Sequence, residues 1–356
     1  MSLKALDTVF KIGKYILLTP ETPTTKKPSL KKRFYALLLI IIYTITSSFC
    51  MFLQSAVFRH RSLMQNSLRV VVSMNSYFSA IFSLIRINST TRSWYYMVKN
   101  LSQVSSSGTN CKCTFMAWFT VVLITRLYDT FVFMKMFGFR FLIYSVSDLV
   151  LFFRLIFSII TAITVLQMIQ QCYHFQKKTL LTRIANSVDS DQVFETLAKL
   201  QPDFFCLQKA VSHFNDIFGW DILFYEFFVV CRTLVYIDDT VKMPEHLRKR
   251  QHIDVVLEIS LKIVLMAFFW LLILHFTLVC DQVLKKYEEI LNILLKIKFF
   301  LRKKVNKRRS RCLRRIEQSC PEFSAARFYC INRATLFSLL NAATTFLIVL
   351  LQFKVY

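Results

Sequence analysis

The chain ends in TTFLIVLLQFKVY, from Thr344 to Tyr356. A nearly unbroken apolar run opens on two threonines and closes on a glutamine, and that combination decides how the whole chain is read. Extended back to Leu336, the segment approaches the roughly 20 mostly apolar residues that a helix needs to cross the hydrocarbon core of a bilayer. Ser338, Asn341, Thr345, Ile348 and Gln352 are spaced by three, four, three and four, so at about 3.6 residues per turn they share one helical face. Leu336, Leu339, Leu340, Phe346, Leu347, Val349 and Leu350 occupy the other faces. Polar groups left unsatisfied in hydrocarbon are costly, so the stripe must meet water or polar protein. Periodicity alone leaves two readings open: hydrogen bonding between helices, or the wall of a water-lined pore. A single helix encloses nothing, so the pore reading requires several copies around an axis.

The rest of the chain is equally apolar. Of its 356 residues, 55% are hydrophobic and 15% aromatic, with 36 Phe and 4 Gly, which fits a membrane protein better than a soluble domain. The spacing predicts six further spans, at 35–58, 68–87, 115–137, 141–169, 218–237 and 255–279, with the seventh at 336–353. The fold class expected is therefore all-α, with seven transmembrane helices. Residues 35–237 hold the first five spans and their connections, and 238–254 form a loop before the sixth.

A net charge of +25 would suggest nucleic acid, but the charge sits in stretches between apolar runs, where membrane orientation explains it and no nucleic-acid partner is expected. With a cytoplasmic N-terminus, 8 Lys and Arg fall in residues 1–34, 3 in the second-to-third connection, 5 in the fourth-to-fifth and 15 in residues 280–335, against 9 outside. The N-terminus is expected inside and residues 354–356 outside, the reverse of a G-protein-coupled receptor. The first 18 residues alternate Leu3, Leu6, Val9 and Phe10 with Lys4, Asp7, Lys11 and Lys14, a pattern that suits an interfacial helix rather than a cleaved signal.

Folded material outside lipid should then be cytoplasmic. Val283, Tyr287, Ile290, Leu294, Ile297 and Leu301 recur with a period of 3.5 and predict an amphipathic helix that packs beside others. The basic run RKKVNKRRSRCLRR, Arg302 to Arg315, reads either as an anionic-lipid site or as a solvated cytoplasmic turn. None of the ten cysteines falls in an outer loop, so reduced thiols are expected. No HExxH, GxSxG, Gly-rich phosphate loop or paired carboxylates on one helix face occurs, which argues against an enzyme, a metal site or a cofactor.

At the terminal helix a resemblance enters. Thr345-Phe346-Leu347-Ile348-Val349-Leu350-Leu351-Gln352-Phe353 resembles the C-terminal signature of insect gustatory receptors, Thr-Tyr, five hydrophobic residues and Gln-Phe, with Phe346 in place of the tyrosine. HFNDIFGWDILF, His213 to Phe224, is similar to the family's Asn-x-x-Phe-Gly stretch through Asn215, Phe218 and Gly219. The resemblance implies a homotetrameric or heterotetrameric ligand-gated cation channel, opened by a small-molecule tastant, in the plasma membrane of chemosensory neurons. It implies a cytoplasmic helical anchor, a gate region at Gln352 and Phe353 with Thr345 on the pore face, and a ligand pocket opening outward within each subunit; Ser338, Asn341 and Ile348 share the stripe with Thr345 and join it as pore and gate candidates. Insect odorant receptors share the inverted plan, and a transporter or membrane scaffold would also explain composition and topology.

Pocket candidates come from the outer halves of the spans: Tyr77, Tyr128, Asp129, Phe131, Tyr144, Asp148, Phe152, Phe228 and Tyr236. They form an aromatic, sparsely acidic set suited to a small polar or amphipathic molecule. A buried acid needs a partner. Arg126 lies three residues from Asp129, and Glu258 lies four from Lys262, so each pair can neutralise itself. Asp148 and Arg154, six apart, need other partners, and Asp148 is the acid expected in the pocket.

Overall fold

A computed structural model describes residues 4–20, 27–57, 63–104, 111–137, 140–185, 190–241, 252–300, 314, 316–318 and 320–352. The basic run from Arg302 to Arg315 and the final Phe353 fall almost wholly outside them. Among the described residues, nine helices carry the architecture: α1 (Lys4–Gly13), α2 (Leu30–Val57), α3 (Leu63–Ile85), α4 (Ile87–Gln103), α5 (Cys111–Phe137), α6 (Arg140–Ala185), α7 (Ser190–Val241), α8 (His252–Phe300) and α9 (Arg333–Gln352). A hairpin of two short antiparallel strands, β1 (Ser324–Ala325) and β2 (Tyr329–Cys330), precedes α9.

Among the described residues, four helices contain stretches long and apolar enough to cross a membrane: Leu30–Phe52, Asn66–Ile85, Asp148–Ala185 and Val256–Ile297. Phe115–Tyr128 and Arg333–Val349 are shorter apolar helices. The stretch expected as the fifth span lies in α7 and carries Asp221, Glu226 and Arg232, three charges whose partners have to be found inside the protein.

The layering follows from how much of each helix is apolar. From Leu155 to Ile169 nearly every side chain of α6 is buried, so α6 is the central helix, enclosed by α2, α3, α5, α7 and α8. In α2, by contrast, Leu37, Ile41, Ile45, Phe49 and Phe52 form an exposed row, while Ala36, Tyr43, Ser47 and Cys50 face the bundle. An apolar row of that size turned outward is the signature of a lipid-facing surface.

The long helices run past the spans without a break. At about 1.5 Å per residue the 52 residues of α7 reach about 78 Å, more than twice the hydrocarbon thickness. The period-3.5 segment is the continuation of α8, and Val283, Tyr287, Ile290 and Leu294 are all buried, with Ile297 packed against the same core. Tyr287 donates to the Ile316 carbonyl at 2.7 Å and meets Tyr173 of α6 edge-on at 6.1 Å. Lys177 of α6 and Lys286 hold Glu289 at 2.8 and 3.0 Å.

The N-terminal segment is folded into this end of the bundle. Val9 and Phe10 are buried, and Phe10 meets the Trp94 ring at 5.3 Å. Trp94 donates to the Leu18 carbonyl at 3.1 Å, and Lys32 to the Thr19 carbonyl at 3.0 Å. The apolar face expected to rest on an interface is covered by protein at these two residues.

Candidate functional site: the terminal helix, its hairpin and the polar seam

On α9 the stripe residues Ser338, Asn341, Thr345, Ile348 and Gln352 are all exposed, Ile348 at 51%. The helix's own contacts with α7 and α8 are made on another side, where Ala343 is buried and Leu336, Leu339, Ala342 and Leu347 are partly covered. At about 100° per residue these two sets lie on opposite faces, so the stripe points directly away from the subunit that carries it. The Ser338 and Thr345 hydroxyls donate to Ala334 and Asn341 carbonyls one turn back, leaving their oxygens free to accept from outside.

A hairpin that residue spacing does not reveal sets the base of α9. Ala326 and Arg327, at φ 50° and 66°, make its turn in the left-handed region without a glycine, a conformation that costs about 1–2 kcal/mol per residue and must be held from outside. The Asn215 amide holds the strand that enters it, donating to the Glu322 carbonyl at 2.6 Å and accepting from the Ser324 N–H at 3.3 Å. Arg327 pairs with Asp216 at 3.0 Å. Phe323 packs edge-on against Phe214 at 5.8 Å, and Phe328 against Trp220 at the same distance. Tyr329 donates to Glu226, one of the three charges in the apolar half of α7. Gly219 completes the dock, because a Cβ there would lie 2.8 Å from the Ala326 nitrogen and 3.2 Å from the Ser324 oxygen. A second tie joins Arg333, the first residue of α9, to Asp281 of α8. The stretch singled out as HFNDIFGWDILF is thus the seat on which the base of the terminal helix rests.

His213 sits beside this seat, stacked on Tyr96 at 5.6 Å and 3.9 Å from Asp216. Burial holds its imidazole below the ordinary value, with Asp216 opposing and Lys209 and Arg92 reinforcing that shift. The unfolded chain therefore takes up this proton before the folded one does. Its contribution to stability is full above about pH 6.5 and is lost as pH falls toward the lower folded value. Thermal unfolding followed from pH 7.5 to 5.5 should show that decline, and His213→Gln should flatten it.

The pocket candidates do not form one group. Phe152 and Phe228 are buried and pack together at 5.8 Å, with Phe269 completing the cluster at 5.7 and 5.5 Å. Arg126 lies over the Phe152 ring at 3.4 Å. Tyr77 turns toward α2, its hydroxyl 2.9 Å from Thr44. Tyr128 and Phe131 are exposed, and Tyr236 is buried under Arg232 at 4.8 Å. Asp148 is half-buried and accepts from Ser73 at 3.4 Å. The side chains of Asp129 and Tyr144 lie outside the described residues. Glu258 and Lys262 meet at 2.8 Å and are joined by Asp239, which also takes Arg69 at 2.6 Å, so one ion-pair network ties α3, α7 and α8.

The chain matches the 7tm chemosensory receptor family over residues 6–356. It belongs to that family. The family is one of receptors, not enzymes, and with its apolar helices the receptor is a multi-pass membrane protein. No curated protein matches the receptor. Among solved structures, the insect olfactory receptor OR5 from Machilis hrabei superimposes with a TM-score of 0.66 at 13% identity, covering 99% of this chain and 100% of that one. The same receptor in complex with eugenol gives 0.51 at the same identity and coverage. At that identity the likeness is one of fold.

Proposed function

We propose that the receptor is a gustatory chemoreceptor that works as a ligand-gated, non-selective cation channel. The observation that carries this reading is the stripe on α9, which turns a polar face away from its own subunit on a helix otherwise suited to lipid. Such a face is satisfied when several copies surround an axis and water fills the centre. A homotetramer, or a heterotetramer with other gustatory receptors, would supply that ring. In this arrangement the N-terminus is cytoplasmic, the long extensions of α6, α7 and α8 form the anchor, and the terminal helix leads the chain outward. A small tastant bound in an outward-facing pocket of each subunit, beside Asp148, would open the path for permeant cations. The expected setting is the plasma membrane of chemosensory neurons.

The likeness in fold to an olfactory receptor favours one second reading, an odorant receptor with a volatile ligand such as the eugenol found in that complex. One experiment addresses both. Purified protein is placed in planar bilayers and challenged with a panel of water-soluble tastants and a panel of volatile odorants. Unitary current steps evoked by the first panel support the gustatory reading, and steps evoked only by the second support the odorant one. Stoichiometric uptake without unitary steps would replace the channel by a transporter.

A further inference from the structure

Arg154 is 2% exposed in the middle of the bundle, and among the described residues it makes no hydrogen bond or ion pair; its Nε and Nη2 are buried with no acceptor. A guanidinium has five N–H donors, and burying them unmatched at membrane depth is among the most costly arrangements a protein can hold. The nearest counter-charge does not solve this. Asp221 of α7 is occupied by two hydroxyls, Ser83 of α3 at 2.9 Å and Ser158 of α6. Among the described residues, Asp221 and Tyr43 of α2 act electrostatically on Arg154.

The register of the helices shows what stands beside it. Ser73 meets Asp148, and Ser83 meets Ser158 through Asp221, so α3 and α6 run parallel with a constant offset. The same offset puts Ser79 level with Arg154, one turn from the Asp221 layer on both helices. Ser79 is 1% exposed, and its hydroxyl too has no hydrogen-bond partner. Three polar groups from three helices, Arg154, Ser79 and Tyr43, thus come together, and among the described residues no carboxylate or carbonyl oxygen accepts from the Arg154 Nε or Nη2.

We propose that this layer is a binding site for a monovalent anionic group, a carboxylate or a halide, with Arg154 as its anchor. A buried water must itself find acceptors for two protons, whereas an anion accepts from every donor and has none to place. Asp221 accepts from its two hydroxyls and, among the described residues, makes no hydrogen bond or ion pair with Arg154, which leaves the guanidinium donors available. The site does not depend on α9 lining a pore, and its test reads stability instead of current.

Full-length receptor in lipid nanodiscs is unfolded thermally in sodium butyrate, sodium chloride or sodium gluconate at matched ionic strength, with butyramide as the uncharged analogue. A ligand bound only by the folded state raises the unfolding temperature saturably with concentration. Butyrate, chloride or both should do so, and butyramide and gluconate should not. A rise with butyrate alone assigns the site to the carboxylate of an organic ligand, and a rise with both to the free ion as well. Arg154→Gln should abolish the rise, while Ser79→Ala and Tyr43→Phe should each raise the half-saturating concentration about fivefold, the loss of one ordinary hydrogen bond. If Arg154→Gln does not fold, the latter two decide. No saturable rise beyond gluconate in the unmodified receptor, or an unchanged rise in the variants, overturns the proposal.

Discussion

Gly219→Ala is expected to abolish or strongly reduce ligand-evoked current while leaving ligand binding in place. In an exposed helix interior this change would stabilise by about 1 kcal/mol through helix propensity. Here the added Cβ would lie 2.8 Å from a backbone nitrogen of the hairpin, and backbone cannot swing aside as a side chain does. Overpacking of this kind costs about 1–3 kcal/mol, so the clash outweighs the gain and the hairpin is pushed off α7. Gly13 supplies the contrast, because its Cβ would meet only the side chain of Thr19, at 2.6 Å from Oγ1. Asn215→Ala should reproduce the Gly219 defect from the other end by removing both amide bonds to the hairpin. Current and surface expression in heterologous cells, with ligand binding measured on membranes, separate a misplaced pore helix from a failure to fold. Normal current in both variants would mean that the hairpin does not position α9.

The second large effect is expected at Gln352. With four subunits around an axis, its amides would ring the outer end of the path, each offering a carbonyl oxygen to a cation that sheds water. Ile348, one turn inward, would form an apolar ring able to close the path by dewetting. Gln352→Leu should therefore suppress current or change the permeability ratio among cations while the complex still assembles. Leu350→Val, off the stripe, should change neither. Reversal potentials under bi-ionic conditions and the size of the solubilised complex give the two readouts.

Particular residues show why some of this architecture could be read from the sequence and some could not. The buried face of α8 was legible because Val283, Tyr287, Ile290 and Leu294 satisfy one local rule, the heptad, within one helix. The stripe on α9 was legible for the same reason. The hairpin was not, since its strands are two residues each and its turn uses Ala326 and Arg327 where a glycine or asparagine would have marked it. What holds that turn is Asn215, more than a hundred residues away. Arg154 and Asp221 could be recognised as costly charges within apolar segments, but Ser83 and Ser158, which satisfy Asp221, sit on other helices, and only the packed register reveals them. The same distance in sequence hid the fact that Phe152 and Phe228 fill each other's space instead of lining an opening.

The central claim, that the polar face of α9 meets water inside an assembly of subunits, is tested most directly by thiol accessibility along that helix. Thr345→Cys, Ile348→Cys and Gln352→Cys on one face are compared with Ala343→Cys and Leu347→Cys on the other, under a water-soluble, membrane-impermeant reagent applied with and without ligand. Modification with a change in current at 352 in both conditions, and at 345 and 348 only when ligand is present, with 343 and 347 inert throughout, is the predicted result. Reaction at 343 or 347 while 345, 348 and 352 remain inert would place the stripe against protein and contradict the account.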